Sequence, residues 1–170
     1  DPRGILEFED LHISKSFQKF LSKTDYTVKF NTQFEQVIEN CCSISRKHET
    51  GTWITDDIIK GYTDLFKHGN AYSTEVYHEG ELIGGHYGVA IGKYFSGESM
   101  FYKKTNASKL GLYYFIKKLE AAGINWLDTQ MVTPVIAGFG GKLIPRDEFV
   151  KMLNLATEST ITRDQVLSNN

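Results

Sequence analysis

Two carboxylates and an amide in the middle of the chain lie where acid/base chemistry could occur. Glu98 lies in the aromatic stretch 94–101, and Asp128 and Gln130 follow the apolar stretch 124–127. A carboxyl group whose surroundings tune its proton affinity can act as a general acid or base. These residues are therefore candidates for an active site. From the residues alone, Asp128 could instead be a strand-end carboxylate that caps a loop, and Glu98 a buried structural glutamate.

Strands and a helix are predicted around these groups. Residues 71–78 and 81–91 are predicted strands, and the turn Glu79-Gly80 joins them into a predicted hairpin. Residues 107–122 form a predicted helix, and residues 124–128 form the strand that carries Asp128. The candidate core positions of that helix are Leu110, Tyr113, Tyr114, Ile116 (or Phe115) and Leu119.

The remaining segments complete a single α/β or α+β domain. Polar caps and apolar periodicity predict helices at 15–22, at 33–42, from the cap Thr55 to about 68, and at 149–155, and a strand at 26–30. The glycine-rich stretch 132–145 is predicted to be a loop or partly helical. The tail 157–170 is polar, and it is predicted to be loosely ordered.

Composition excludes several classes of protein. The 170 residues carry a formal net charge of −2, which lacks the basic excess of a general nucleic-acid binder, so any RNA contact must be local. The adjacent Cys41 and Cys42 form neither a disulfide framework nor a C-x-x-C metal set. Without an apolar run of bilayer length or a secretory signal, the chain is expected to be cytoplasmic. A start at Asp1-Pro2-Arg3 without methionine suggests a processed product or a fragment.

Two further features have a structural and a functional interpretation. Lys15, Lys19 and Lys23 share one side of a predicted helix, which is either a solvated face or a small phosphate-binding edge. Trp53 precedes a helix start, where a lone tryptophan is usually part of the core, although an indole face could also stack on a nucleobase.

Six collinear blocks, from about Asp1 to Phe149, resemble the leucyl/phenylalanyl-tRNA–protein transferase family. Six blocks in the same order are far more specific than any one of them. They are Gly51-Thr52-Trp53-Ile54-Thr55, Gly84-Gly85-x-Tyr87-Gly88-Val89-Ala90, Phe95-x-Gly97-Glu98-Ser99-Met100-Phe101, Thr105-Asn106-Ala107-Ser108-Lys109, Leu127-Asp128-x-Gln130 and Ile144-Pro145-Arg146.

The resemblance implies an aminoacyltransferase of the N-end rule pathway. Such an enzyme moves leucine or phenylalanine from a charged tRNA to the α-amino group of a protein that begins with Arg or Lys. It also implies an acetyltransferase-like (GNAT) fold, a mixed sheet flanked by helices, without cofactor or metal. Residues 1–156 would be this catalytic domain and 157–170 a polar tail. On this resemblance, the small N-terminal domain of the family would precede Asp1-Pro2-Arg3 and is expected to be absent from this sequence, which would then be a trimmed fragment or a protein that does without that domain.

The resemblance also implies roles for individual residues. Asp128 would act on the attacking amine through Gln130, and Glu98 would hold the α-amino group of the donor or help to assemble the site. Trp53 would stack on the terminal adenosine of the tRNA. The other implied substrate-binding residues are His86, Phe95, Ser99, Met100 and Phe115, and the implied tRNA-binding residues are Lys15, Lys19, Lys103, Lys104 and Lys109.

Two departures from the family pattern bear on specificity. His86 stands where the family typically has an apolar residue in the donor pocket, and stretch 132–141 keeps Thr133-Pro134 but not the residues that normally follow. A changed donor, or a changed acceptor such as an acidic N-terminus, is therefore one alternative. A non-catalytic tRNA- or peptide-binding module is another. A coenzyme A acyltransferase is disfavoured because no glycine-rich pyrophosphate loop precedes a helix.

Overall fold

Seven strands and seven α-helices make up the part of the chain that the structure describes. The structure is a computed structural model, and it describes residues 1–43 and 54–169. The strands are β1 (Arg3–Glu7), β2 (Thr27–Phe30), β3 (Ala71–His78), β4 (Glu81–Ile91), β5 (Tyr94–Tyr102), β6 (Trp126–Gln130) and β7 (Lys142–Ile144). The helices are α1 (Lys15–Leu21), α2 (Phe34–Ser43), α3 (Asp56–Lys67), α4 (Ala107–Ala121), α5 (Pro134–Gly138), α6 (Arg146–Thr157) and α7 (Arg163–Val166).

The strands form one mixed sheet in the order β2-β3-β4-β5-β6-β1-β7. Neighbouring strands are antiparallel, except that β5 and β6 run parallel and are paired at Ser96 and Asp128. A mixed α/β architecture, with a sheet flanked by helices, is therefore confirmed. The parallel pair lies in the middle of the sheet, between the hairpin strands and the two strands β1 and β7.

Helices cover both faces of the sheet. On β4, His86 lies against the α4 residue Phe115, whereas the next residue, Tyr87, contacts Phe34 of α2 and Tyr62 of α3. Successive side chains of a strand point to opposite faces, so α4 lies on one face and α2 and α3 lie on the other. The long strand β4 is buried on both faces for the same reason.

Most predicted elements are confirmed within one or two residues. Strand β6 begins at Trp126 rather than residue 124, because the N–H groups of Gly123 and Ile124 still donate to the last carbonyls of α4. On α4, the predicted core position Tyr114 is wrong, since its side chain is 44 % exposed. The buried residues of that helix include Leu110, Leu112, Phe115, Ile116 and Leu119.

The prediction of a loosely ordered tail is wrong for residues 163–169. Val166 and Leu167 are buried in the same core cluster as Phe115. The side-chain amide of Asn169 pairs with both the N–H and the carbonyl of Phe30, at 2.8 Å each, and so occupies part of the exposed edge of β2. A short capping box starts α7. Two apolar residues and these polar contacts were enough to order a segment whose average composition is polar.

Removing the side chain of Leu167 is therefore expected to destabilise the fold. Leu167→Ala leaves a cavity in the core, and we expect the free energy of unfolding to fall by about 2–5 kcal/mol. The matched control is Leu155→Ala, because Leu155 is 72 % exposed. Urea denaturation of both variants tests the packing of the tail. Equal midpoints for the two variants would contradict it.

Candidate active site

The candidate site lies where β5 and β6 part. The two strands are paired at Ser96 and Asp128. After this pair, a bulge in β5 moves Glu98 out of the regular strand position. Tyr87 of β4 pairs with Ser99 and Gly88 pairs with Gly97, so that Glu98 is the extra residue of β5. A bulge bends the strand and redirects the side chain it carries. The hairpin thus presents Glu98 outside the regular alternation of β5.

Gly88 is required at this point of the hairpin. A Cβ atom built on Gly88 would lie 1.7 Å from the carbonyl oxygen of Ser96. Tyr72 donates from its hydroxyl to that same carbonyl at 3.2 Å. The backbone at the point of divergence is therefore held from β3 through a buried tyrosine, and a side chain at position 88 would displace it.

Asp128 is fully buried and accepts four hydrogen bonds. Its Oδ1 accepts from Arg3 Nε and from the N–H of Gln130, both at 2.9 Å. Its Oδ2 accepts from Arg3 Nη2 at 2.8 Å and from the Tyr94 hydroxyl at 2.7 Å. Because the partners are all donors, the group is a carboxylate bound to a guanidinium ion. The contact between Asp128 and Gln130 runs through the backbone of Gln130 and not through its side-chain amide.

This carboxylate also changes the ionisation of its two side-chain partners. The hydrogen bond to Asp128 raises the pKa of Arg3 further above its ordinary value. Burial, followed by the hydrogen bond to Asp128, raises the pKa of Tyr94 well above its ordinary value. Arg3 therefore stays charged and Tyr94 stays a neutral donor throughout the pH range in which the protein would act.

Gln130 adopts a backbone conformation that is rare for a non-glycine residue. Its φ is +61°, and the N–H of Met131 donates to the carbonyl of Thr129 at 2.6 Å across it, so the chain makes a three-residue turn centred on Gln130. Its side-chain Nε2 donates to the carbonyl of Gly97 at 3.3 Å and so spans the gap between β6 and β5. The amide oxygen of this side chain keeps acceptor capacity for a ligand in the gap.

Glu98 is partly buried and has two polar neighbours. The Ser96 hydroxyl donates to Glu98 Oε1 at 2.9 Å. Tyr62 of α3 lies close to the same carboxylate, and its pKa is raised above the ordinary value first by burial and then by the charge of Glu98. The carboxylate therefore has a fixed orientation and keeps acceptor capacity for a cationic group.

Four of the predicted substrate-binding residues come together on the α4 face. The rings of His86 and Phe95 lie 5.0 and 5.9 Å from the ring of Phe115, and Tyr72 stacks on Phe115 at 4.4 Å. Met100 is opposite His86 in the register of β4 and β5, and it packs against the same cluster. Ser99 does not join them, because it is opposite Tyr87, whose ring packs on the α2 and α3 face.

His86 is the polar member of this aromatic cluster. It is 3 % exposed, its Nε2 lies 3.4 Å from the Thr74 hydroxyl, and its Nδ1 has no hydrogen-bond partner among the described residues. Burial lowers the pKa of His86 from 6.5 to about 3. The imidazole is therefore neutral near neutral pH, and it offers a buried polar atom beside Phe115.

This burial predicts a pH dependence of stability. Below pH 6.5 the unfolded chain protonates this histidine and the folded chain does not, so the stability present above pH 6.5 is lost as the pH falls towards 3. We expect a loss of about 1.4 kcal/mol per pH unit in that range. In His86→Met this part of the dependence should disappear. The exposed His12→Met serves as the control, and identical pH profiles of the two variants would contradict the assignment.

The predicted tRNA-binding lysines fall into two groups. Lys15 and Lys19 are exposed on α1, which packs on α4 through the rings of Phe17 and Tyr113. Lys103, Lys104 and Lys109 surround the N-terminal end of α4. Lys104 donates to His78 Nδ1 at 2.8 Å, so this lysine has a protein partner already. Trp53, the predicted adenosine-stacking residue, lies outside the described residues.

Sequence reasoning did not identify four residues that build the site. Arg3 and Tyr94 bind Asp128, Tyr62 lies beside Glu98, and Tyr72 holds the carbonyl of Ser96. Arg3 opens the buried strand β1, and no local pattern in the sequence indicates the carboxylate that it binds. The three tyrosines resembled ordinary core aromatics and carried no separate signal.

Neither a metal cluster nor a membrane span occurs in the described part of the chain. Among residues 1–43 and 54–169, no group of three or more His, Cys, Asp or Glu side chains is arranged to hold a metal ion. No helix in these ranges is long and apolar enough to cross a membrane.

Comparison with known proteins gives a consistent result. A family model described as leucyl/phenylalanyl-tRNA protein transferase matches residues 5–154. Curated relatives named leucyl/phenylalanyl-tRNA–protein transferase are 43 % identical over 158 residues in Pseudoalteromonas atlantica and 44 % identical over 153 residues in Pseudomonas entomophila. These alignments cover 93 % and 90 % of this chain and 67 % of each relative, so the chain spans about two thirds of their length.

A solved structure shows a similar fold. It is a conserved protein of unknown function from Bacteroides thetaiotaomicron, with a TM-score of 0.56 and 13 % sequence identity, and the match covers 95 % of this chain and 56 % of that one. At this identity the likeness concerns the fold alone.

Proposed function

Because the chain belongs to the leucyl/phenylalanyl-tRNA protein transferase family, we propose that it transfers leucine or phenylalanine from aminoacyl-tRNA to proteins that begin with Arg or Lys. The names of its relatives support a tRNA-linked donor and a protein acceptor. The reaction would mark the acceptor for N-end rule degradation in the cytoplasm, where charged tRNA is made. The observation that carries the proposal is the gap between β5 and β6, which the side chain of Gln130 spans to Gly97, next to Glu98 at the bulge of β5.

The proposed reaction needs no covalent enzyme intermediate. The neutral amine of the acceptor attacks the ester carbonyl, a C–N bond forms, and the bond to the ribose oxygen breaks. The proton lost by the amine ends on that ribose oxygen. The side-chain oxygen of Gln130 accepts a hydrogen bond from the amine and orients it, while Glu98 holds the α-ammonium group of the donor. Asp128 does not bind the substrate itself, because its four acceptor positions are occupied. It acts through its hydrogen bond with the N–H of Gln130.

The aromatic cluster beside this gap is the proposed site for the donor side chain. His86, Phe95, Met100 and Phe115 would contact it, and Trp53 would stack on the terminal adenosine. A changed donor preference is the second candidate function, and the buried His86 Nδ1 supports it. A polar atom without a partner among the described residues, in a buried aromatic cluster, favours a donor that can hydrogen-bond to it.

The fold and the domain limits are part of the same proposal. A parallel pair that parts in the middle of a mixed sheet, with a bulge beside the gap, supports an acetyltransferase-like (GNAT) arrangement. Residues 1–156 would form the catalytic unit, against which Val166, Leu167 and Asn169 of the tail pack. In this arrangement the tRNA, rather than coenzyme A, would supply the acyl group.

The lysines near α4 are proposed to contact tRNA phosphates. Replacing Lys103 or Lys109 with Ala should weaken binding of aminoacyl-tRNA and lower the slope of log K against log salt by roughly one for each phosphate that is no longer bound. Filter binding at several salt concentrations measures this slope. Lys67→Ala is the control, since Lys67 lies at the end of α3 and pairs with Asp64. An unchanged slope in Lys103→Ala and Lys109→Ala would show that these lysines do not contact tRNA phosphates.

A transfer assay tests the function itself. Radiolabelled Leu-, Phe-, Met- and Arg-tRNA are combined with peptides that begin with Arg, Lys, Asp, Glu or Ala. Transfer of leucine or phenylalanine to the Arg and Lys peptides is expected. Transfer of another amino acid, or transfer only to acidic peptides, would support the proposed reaction but contradict the proposed choice of donor or acceptor. Binding of tRNA without any transfer would instead support a binding module.

A further inference from the structure

We propose that Arg3 is a positioning residue for aminoacyl transfer, which clamps Asp128 and thereby holds Gln130 in its strained turn. The inference rests on the proposed function for its kinetic consequence only. The clamp joins the neighbouring strands β1 and β6, and it includes Tyr94 of β5 as the second side chain that binds the carboxylate.

All the acceptor positions of the Asp128 carboxylate are occupied within the clamp. A carboxylate has about four acceptor positions, and Asp128 uses four, two for Arg3, one for Tyr94 and one for the N–H of Gln130. Arg3 binds in the bidentate manner, through Nε and Nη2, which fixes the plane of the carboxylate as well as its position. The guanidinium also lies over the ring of Phe149 at 5.1 Å. Asp128 therefore has one orientation.

That orientation stabilises the rare backbone conformation of Gln130. A φ of +61° in a glutamine costs free energy and persists only where the surroundings hold it. Two contacts do so here. The N–H of Gln130 is bound by Asp128 Oδ1, and β1 lies so close that a Cβ atom on Gly4 would be 2.6 Å from the carbonyl carbon of Met131. Arg3 thus acts on the turn through Asp128, and Gly4 of the same strand packs against the backbone of Met131.

The turn directs the side chain of Gln130 across the gap to Gly97. In an ordinary extended conformation the residue would continue the alternation of β6, and its amide would not be held at this angle. Loosening Arg3 should therefore reduce the rate of the chemical step, because the amine would lose its oriented acceptor, while binding of tRNA would stay the same.

Three variants test this inference. Arg3→Lys keeps the charge but cannot form the bidentate pair, and we expect kcat to fall about 100-fold with the dissociation constant for aminoacyl-tRNA changed less than about twofold. Tyr94→Phe removes one donor with little change of shape, and we expect about a 10-fold reduction of kcat. In Arg3→Ala, added guanidinium should restore part of the rate, and urea, which has the same shape without the charge, should not.

A readout other than activity separates the clamp from the reaction. The N–H of Gln130 should exchange with solvent at least about 10-fold faster in Arg3→Lys than in the wild type, as measured by NMR. Arg163→Lys is the control, because Arg163 binds the carbonyls of Phe66 and Ala71 far along the chain from this site. It should alter neither kcat nor exchange at Gln130.

The outcomes distinguish the two claims. If the wild type transfers and Arg3→Lys keeps the wild-type kcat, the inference is overturned and the proposed function stands. If the wild type transfers nothing, the proposed function fails. The exchange rate of the Gln130 N–H, compared between Arg3→Lys and the wild type, then tests whether Arg3 holds the turn. Unchanged exchange in both Arg3→Lys and Tyr94→Phe would overturn the clamp in either case.

Discussion

Replacing Asp128 with Ala is expected to abolish transfer and to destabilise the protein by about 3–5 kcal/mol, because it leaves the charge of Arg3 without its buried partner. Asp128 is fully buried, and it joins Arg3, Tyr94 and the backbone of Gln130. Its loss removes the support of the turn at Gln130 as well as the ion pair. Single-turnover transfer and urea denaturation, measured on the same preparation, give the two effects separately.

A double variant separates stability from chemistry. In Arg3→Met with Asp128→Leu, apolar side chains replace both members of the pair, and much of the lost stability should return. Transfer should not return with it, since the N–H of Gln130 would have no carboxylate to bind. Glu120→Ala is the surface control, because the exposed pair of Lys117 and Glu120 should contribute about 1 kcal/mol or less. Full transfer by the double variant would show that Asp128 is not needed for the reaction.

The second large effect is expected for Glu98→Gln. The amide keeps the size of the side chain and can still accept from the Ser96 hydroxyl, so the fold should be preserved. It loses the negative charge that holds the α-ammonium group of the donor in the proposed site. We expect the rate of transfer to fall by about 10²-fold or more. Removing the charge should also lower the raised pKa of Tyr62, of which Glu98 is a cause after burial.

Glu75→Gln is the matched control for this prediction. Glu75 is another carboxylate of the same sheet, fully buried on β3, where it accepts from the Ser73 and Thr32 hydroxyls and from backbone N–H groups before α2. Its replacement should reduce stability and leave the transfer rate of the folded protein nearly unchanged. If instead Glu98→Gln transfers at the wild-type rate, Glu98 is a structural glutamate, as one of the sequence-based alternatives holds.

Much of the local structure follows from the sequence. Helix starts at Ser14 and Thr55, where each side chain accepts from a backbone N–H three residues on, were predicted because the cap and the first turn are adjacent in the chain. The hairpin of β3 and β4 was predicted for the same reason, since the turn Glu79-Gly80 joins two strands that follow each other in the chain. The candidate residues Glu98, Asp128 and Gln130 were likewise found from their types and their places in the chain.

The arrangement of the site was decided by the tertiary structure. Arg3 and Asp128 are 125 positions apart, and no local pattern pairs them. The bulge at Glu98 and the separation of Ser99 from His86 both depend on the register of β4 with β5, which pairs Ser99 with Tyr87 and Met100 with His86. The mean polarity of the tail predicts a loosely ordered segment, whereas the buried side chains of Val166 and Leu167 order it. Sequence determined the elements and the chemical groups, because those depend on near neighbours. Only the fold could assign partners, because burial and pairing depend on residues distant in the chain.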